Sequence, residues 1–282
     1  MNVSIVTPTW NRAEALPQML ASVETQTPRP LEHIIVDNRS TDGSATIVNE
    51  YARRVSYRVL HLTEGDCGIY DAMNQGARAA EGDVLYFLND DDRLANPKAL
   101  GTLTSALARY DADFAFGDVL VVDPQRGTSS VRHHRQMNRF TLAEKSICQQ
   151  ATIYSRRIID QVGPFDASLR AAGDYDWMMR AFLQHASKAV YLRTVVAHFA
   201  LGGISNSEAH STAFEAEMRS VRLRYFSEED LERAKRFRRF WRKCPFGLQL
   251  MPNAGRSTAF RITTLHPIGD RLIPSPLAWI GF

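Results

Sequence analysis

Short apolar runs and amphipathic stretches alternate through the first half of this chain. Val3 to Val6, Leu31 to Val36, Tyr57 to Leu62 and Asp83 to Leu88 have the length and composition of strands. Between them lie segments with helical spacing. The first runs from Pro17 through Leu20 and Val23, with proline in its opening turn. Ala45 to Arg53 sets Ile47, Val48 and Tyr51 on one face, and Ile69, Met73, Gly76 and Ala80 share another. Pro97 to Tyr110 aligns Leu100, Leu103 and Leu107. Alternation at this spacing predicts right-handed βαβ units and an α/β fold, with a mostly parallel central sheet flanked by helices.

The second half is less regular. Asp113 to Asp123 reads as short strands around Gly117, and Arg126 to Arg139 as a polar, basic loop in which His133 and His134 are solvated. Ile147 to Tyr154 is expected to be a strand that carries Gln149 and Gln150 toward a cleft. Asp174 to Gln184 opens a helix whose apolar side is Trp177, Met178, Ala181 and Phe182. Further on, Ser227-Glu228-Glu229-Asp230 has the form of a capping box. Leu231, Ala234, Phe237 and Trp241 then follow on one face, and Lys235, Arg236, Arg238, Arg239, Arg242 and Lys243 crowd the remainder up to Pro245.

Three polar clusters fall just past strand ends, where open α/β sheets bind their ligands. Val84-Leu85-Tyr86-Phe87-Leu88 runs into Asn89-Asp90-Asp91-Asp92, the Leu31 run ends in Asp37, and Val3 to Val6 leads to Thr7-Pro8-Thr9-Trp10-Asn11-Arg12. Three adjacent carboxylates repel one another unless a cation neutralises them, and hard divalent ions take oxygen ligands. On its own the cluster suits a solvated turn as well as a metal. Together the strand ends suit a nucleotide whose base and ribose lie against strand-end side chains. The chain has no Gly-x-x-x-x-Gly-Lys-Ser/Thr loop and no Gly-x-Gly-x-x-Gly after a strand to hold its phosphates. A metal bridged by Asp residues is the remaining economical way to bind them.

Five segments in register carry a family resemblance. They are Ile5 to Arg12, Val36 to Ser44, Gly68-Ile69-Tyr70-Asp71-Ala72-Met73-Asn74-Gln75-Gly76, Phe87 to Asp92, and Ala171-Ala172-Gly173-Asp174-Tyr175-Asp176. In this order, over roughly the first 205 residues, the chain resembles a family 2 glycosyltransferase of GT-A fold, and in particular the bacterial surface-polysaccharide subgroup. The resemblance implies an inverting transfer from a UDP-sugar to a hydroxyl of a lipid-linked oligosaccharide, helped by Mn²⁺ or Mg²⁺. Asp92 is then the preferred metal ligand, with Asp90 a lesser one, and Asp91 contacts ribose or metal. Asp37 accepts from the uracil N3–H, and Pro8 and Thr9 flank the base. Asp71 and Asn74 lie near phosphate and sugar, Gln150 faces the cleft, and Arg12 supplies the cation that close relatives carry at the position of Cys67. By itself Asp174 reads equally as a helix cap or as a general base kept ionised by the helix N-terminus; the resemblance implies the base. A nucleotidyltransferase, or a non-catalytic nucleotide- or carbohydrate-binding module, are the alternatives.

At 282 residues the chain is long enough for one catalytic domain and an extension. Residues 1–205 are read as that domain, 1–112 as its nucleotide-sugar half, 113–205 as its acceptor half, and 206–282 as the extension. Lys and Arg number 34 against 31 Asp and Glu, a formal charge of only +3, so the local cationic block matters more than the net value. A basic amphipathic helix with Phe and Trp suits an anionic membrane surface; nucleic acid is not expected, since no base-reading fold accompanies it. No apolar run is long enough to span a bilayer, and the N-terminus opens on a strand instead of a signal peptide. Cys67, Cys148 and Cys244 are widely spaced without a Cys-x-x-Cys, which argues against a disulfide framework or zinc site. A cytoplasmic enzyme at the inner face of the plasma membrane is the expectation.

Overall fold

The computed structural model describes residues 1–123, 126–134, 139–185, 187–201, 208–243, 261–268 and 271–274. Three strands, β1 (Val3–Thr9), β2 (Glu32–Asp37) and β3 (Arg58–Leu62), run parallel in sequence order. The chain then crosses to the other side of β1, where β4 (Val84–Phe87) pairs with it in parallel. That reversal makes the C-terminal ends of β1 and β4 the topological switch point, the place where an open α/β sheet leaves a crevice. Beyond β4 the sheet continues through β8 (Thr152–Ser155), β6 (Phe114–Asp123) and β9 (Lys188–Ala200). Here β8 is antiparallel to both neighbours, whereas β6 and β9 are parallel. The two-residue strand β5 (Arg93–Leu94) pairs with β9.

Helices cover both faces. On one side α1 (Leu16–Glu24), α2 (Ser44–Arg54) and α4 (Ala99–Arg109) bury Leu16, Met19, Leu20, Val48, Leu100 and Leu103 against Ile5, Ile35 and Tyr86. On the other, α3 (Ile69–Ala79) and α7 (Gly173–Leu183) bury Tyr70, Met73, Trp177 and Met178 against Val6, Leu85 and Phe87. Gly76 lets α3 lie close on the sheet, because a Cβ there would stand 2.3 Å from Val6 Cγ1. Both β1 and β2 are buried along their full length, and Ser4, Thr7, Glu32 and His33 within them are paired. Glu32 accepts from Ser4 Oγ at 2.6 Å and from Arg58 at 3.1 Å, and His33 sits between Thr7 Oγ1 and Tyr51 OH. Burial holds His33 neutral, its pKa lowered to about 3.

The second half departs from the sequence reading in four places. Phe114 to Asp123 forms one ten-residue strand, β6, with a register shift against β9 around Gly117. The basic stretch holds an edge strand, β7 (Thr128–Arg132), antiparallel to β6; all five residues are exposed, so the polar composition concealed it. His134 is buried, not solvated: its Nδ1 lies 2.9 Å from Gly117 O and its Nε2 accepts from Cys148 N at 3.0 Å. Its pKa is lowered to about 4, chiefly by burial, and His133 contacts Asp118 at 2.8 Å. Gln149–Ala151 is a short 3-10 helix, and only Thr152–Ser155 of the expected strand is extended.

The C-terminal part also contributes to the domain. After α5 (Arg139–Leu142), α6 (Arg156–Val162) and α8 (Glu208–Tyr225), helix α9 (Glu228–Lys243) begins at the expected box, with Asp230 N donating to Ser227 Oγ at 3.1 Å. Its Leu231 and Ala234 are buried in the same core as Tyr175 and Phe226, so these two positions are occupied by the protein and not free for a bilayer. Lys235, Arg236, Arg238 and Arg239 are exposed. The side chains of Trp241, Arg242 and Lys243, together with Cys244 and Pro245, lie outside the described residues. Two strands absent from the sequence reading, β10 (Arg261–Ile268) and β11 (Arg271–Pro274), extend the sheet beyond β9.

Candidate active site

At the switch point, the turn after β1 and the turn after β4 face each other. Asn11 takes a left-handed φ of 52° in the first, and its Oδ1 accepts from Thr41 N at 2.8 Å. The following Arg12 reaches across to the second turn, donating from Nε to Asp90 Oδ1 at 3.2 Å and from Nη2 to Asp91 Oδ2 at 2.8 Å. Burial pushes the Asp90 carboxyl up to about 6 against the pull of Arg12. Asp92 is different. Its Oδ1 accepts from Ala200 N at 3.1 Å, but its buried Oδ2 has no hydrogen-bond partner among the described residues. Burial first, then the charge of Asp91, raises its pKa well above the ordinary carboxylate range; the Ala200 N–H and a pull from the Gln150 amide, short of a hydrogen bond, oppose the rise.

An unpaired carboxylate oxygen in the interior costs several kcal/mol unless a proton or a cation joins it, to an order of magnitude. Asp92 Oδ2 therefore fits a metal ion, and its position at the end of β4 is where a diphosphate would meet that ion. Asp90 and Asp91 are engaged by Arg12, so neither presents a free oxygen in the same way. Among the described residues no three His, Cys, Asp or Glu side chains form a ready-made metal cluster. The remaining ligands would come from the substrate's own oxygens and from water, the usual arrangement for Mg²⁺ with phosphates.

Asp174 stands in the first turn of α7, Oδ1 accepting from Tyr175 N at 2.8 Å and from Tyr70 OH at 3.2 Å. The helix N-terminus was expected to keep it ionised at neutral pH, which a pKa of about 6 still allows, but not at the value of a free aspartate. The pKa is raised because loss of solvent outweighs the hydrogen bonds from Tyr175 and Tyr70. Tyr70 was quoted in the sequence motif without a role. Its ring is buried, lies 5.9 Å from that of Phe165, and passes so close to Gly173 that a Cβ there would meet it at 2.6 Å. Gly173 is thus what allows the phenol to reach Asp174. The thiol of Cys148, raised chiefly by burial, is raised further by the charges of both Asp174 and Asp92, so both carboxylates lie within electrostatic reach of it.

The other expected site residues divide. Asp37 is buried at the end of β2, accepting from Ser40 N at 2.9 Å and approached by His61 Nε2 at 3.3 Å, so it fastens the turn that borders the crevice. Pro8 and Thr9 end β1, with Thr9 O accepting from Asn38 N at 3.0 Å and Thr9 Oγ1 buried without a hydrogen-bond partner among the described residues. Gln150 is buried beside the cleft, its carbonyl accepting from Tyr86 OH. Asp71 accepts from Cys67 N at 3.0 Å and from Gln75 at 3.3 Å, which ties the turn before α3 to the helix. Asn74 turns away from the crevice. Its amide donates to Phe165 O at 2.9 Å and accepts from Phe165 N at 2.8 Å, pinning the turn after α6. Asn74→Ala is accordingly expected to lower stability by about 2 kcal/mol or more, since it strands two buried backbone groups. Thermal melting checks this, and donor affinity at a permissive temperature should stay unchanged.

The site thus combines the switch point of a single α/β sheet, an acidic turn and raised carboxylates at Asp90, Asp92 and Asp174. Residues 4–163 match the family model described as glycosyl transferase family 2, and the chain belongs to that family. It is 33% identical over 210 residues to the PGL/p-HBAD biosynthesis glycosyltransferase of Mycobacterium bovis, covering 72% of this chain and 79% of that protein. Among solved structures it resembles S. aureus TarS 1-349 in complex with UDP-GlcNAc, with a TM-score of 0.64 and 22% identity over 89% of this chain and 76% of that one. A mannosyltransferase of Pyrobaculum calidifontis in complex with GDP-Man and Mn²⁺ aligns with a TM-score of 0.62 and 16% identity, over 84% of this chain and 69% of that one. These structural likenesses establish the GT-A-type fold, and the family establishes sugar transfer as the activity.

Proposed function

We propose that this protein is an inverting glycosyltransferase that moves a sugar from a UDP-sugar to a hydroxyl of a lipid-linked oligosaccharide, within bacterial surface-polysaccharide synthesis. The observation that carries the reading is the presence of Asp92, whose buried Oδ2 has no partner among the described residues, and Asp174, raised to about 6, both within electrostatic reach of Cys148. Residues 1–112 hold the nucleotide and 113–205 the acceptor. Asp92 would hold a divalent ion, Mn²⁺ or Mg²⁺, with Asp90 a further ligand if Arg12 transfers to the phosphates; the ion would neutralise the charge that grows on the departing diphosphate. Asp37 receives the uracil N3–H, Pro8 and Thr9 flank the base, Asp91 meets the ribose, and Gln150 borders the sugar. Asp174 takes the proton of the acceptor hydroxyl as that oxygen attacks the anomeric carbon, and Tyr70 holds the carboxylate toward it. A single in-line displacement needs one base and no covalent nucleophile.

Among the described residues no helix is long and apolar enough to cross a membrane. The proposed contact with the inner face of the plasma membrane is electrostatic, through Lys235, Arg236, Arg238 and Arg239, without insertion of Leu231 or Ala234.

Nucleotide sugars screened by metal-dependent thermal stabilisation test the donor assignment. UDP-sugars should stabilise the protein only with a divalent ion present, and a preference for GDP- or dTDP-linked donors would overturn the role of Asp37. Release of UDP, not pyrophosphate, separates transfer from nucleotidyl chemistry. The pH profile follows from Asp174. A base with a pKa of about 6 is protonated and idle below that value, so kcat/KM should rise about tenfold per unit as pH climbs toward 6 and level off above it. A flat profile between pH 5 and about 7 would remove Asp174 from that role.

A further inference from the structure

Positive charge runs outward from the cleft along the proposed acceptor half. Arg132, at the end of β7, donates from Nη1 to Cys148 Sγ at 3.3 Å and lies 5.6 Å from the centre of the Phe199 ring. Phe199 directly precedes Ala200, whose N–H donates to Asp92 Oδ1 at 3.1 Å, and the Cys148 thiol feels the charges of Asp92 and Asp174, so this guanidinium lies beside the acidic site. Nearby are Lys145 and then Arg238 of α9, which stands 3.3 Å from Glu144. Partial desolvation, together with Arg238 and Arg132, pushes the Lys145 ammonium below its ordinary value against the opposing pull of Glu144. Among the described residues Arg238 pairs with Glu144, whereas Arg132 and Lys145 have no carboxylate within ion-pairing distance. Cations crowded in this way repel one another until an anion joins them.

We propose that Arg132 and Lys145, backed by Arg238, form a subsite for a phosphate or diphosphate group carried by the acceptor. The proposal rests on the glycosyl-transfer reading of the cleft and names the chemistry of its second substrate. Arg presents a planar fork that matches phosphate oxygens, and Lys adds a compact charge beside it. Two features favour the acceptor over the donor. The donor's diphosphate belongs at the β1–β4 switch point, where Asp92 and Arg12 lie. The cations lie instead with the acceptor half, a band formed by Arg132 at the end of β7, Lys145 after α5, and Arg238 of α9, which reaches Glu144 beside Lys145. An acceptor whose sugar hydroxyl meets Asp174 would place a phosphate a sugar or two away along this band.

Calorimetric titration of the full chain with inorganic pyrophosphate in metal-free buffer tests this, using Arg132→Gln, Lys145→Gln and the double variant. Both side chains reach solvent, and thermal melting should show all three variants folded as the wild type is. Each substitution is expected to weaken pyrophosphate binding by about tenfold, the scale of one charge-assisted hydrogen bond. UDP binding in the presence of Mn²⁺ should stay within about twofold. Unchanged pyrophosphate binding overturns the subsite, and a parallel loss of UDP affinity reassigns the cations to the donor. Co-sedimentation with phosphatidylglycerol vesicles separates acceptor from membrane phosphate: the double variant should sediment as the wild type does, and a loss there moves the patch to lipid headgroups. UDP binding by the wild type, read on its own, tests the glycosyl-transfer reading, so the two ideas fail in different titrations.

Discussion

Replacing Asp174 with Asn lowers sugar transfer by about 10²–10⁴-fold while leaving UDP affinity intact. The amide keeps the shape of the side chain and accepts from Tyr175 N and Tyr70 OH much as the carboxylate does, at 2.8 and 3.2 Å. What it lacks is a lone pair basic enough to take a proton. The neighbouring Asp176 is no substitute, since it is buried and already accepts from Arg180 at 3.1 Å, from Arg224 at 3.1 Å and from Tyr225 OH at 2.9 Å. Single-turnover transfer in Asp174→Asn, with UDP binding measured in parallel, decides between base and helix cap. A near-wild-type rate would leave Asp174 as a cap only, a role Asn fills as well as Asp does.

The sequence exposed those parts of the site that depend on chain order. Asp37 and Asp90 to Asp92 were legible because apolar strands end abruptly in carboxylates, and strand ends are where such sheets bind ligands. Which carboxylate lacks a partner was not legible. That Arg12 engages Asp90 and Asp91 while Asp92 faces inward depends on contacts between residues 78 and 79 positions apart. Tyr70 and Asp174 meet across 104 positions, through space left by Gly173, and no local pattern reports such an encounter. His134 misled for a related reason. Two adjacent histidines among cations read as solvated, yet the shift in β6 around Gly117 offers one of them a backbone carbonyl and a place in the core. On α9 the amphipathic pattern was legible, but the packing of Leu231 and Ala234 in the core with Tyr175 and Phe226 was not, because an apolar face does not say what covers it.

Asp92→Asn should have two opposite effects, and together they isolate the metal site. The substitution removes the charge beside the diphosphate, so the tightening of UDP by Mn²⁺ or Mg²⁺ should disappear; calorimetry with and without the ion reads it directly. In metal-free buffer the same variant should melt higher than the wild type. The Asp92 carboxyl has a folded-state pKa well above the 3.8 of an unperturbed aspartate, chiefly from burial, with Asp91 adding to it. A carboxyl raised on folding binds its proton more tightly in the native state. Its ionisation therefore drains stability as pH rises above 3.8, and the full loss is present once pH exceeds the folded value. Asn carries no such charge, so the gain in Tm over wild type should be absent near pH 4 and grow toward neutrality, at roughly 2–4 °C per kcal/mol for a chain of this size. Added Mn²⁺ should erase the difference by raising only the wild type. A variant that is less stable than wild type at pH 7 without metal, or that retains metal-enhanced UDP binding, would show that Asp92 Oδ2 is satisfied by the protein itself and that the ion sits elsewhere.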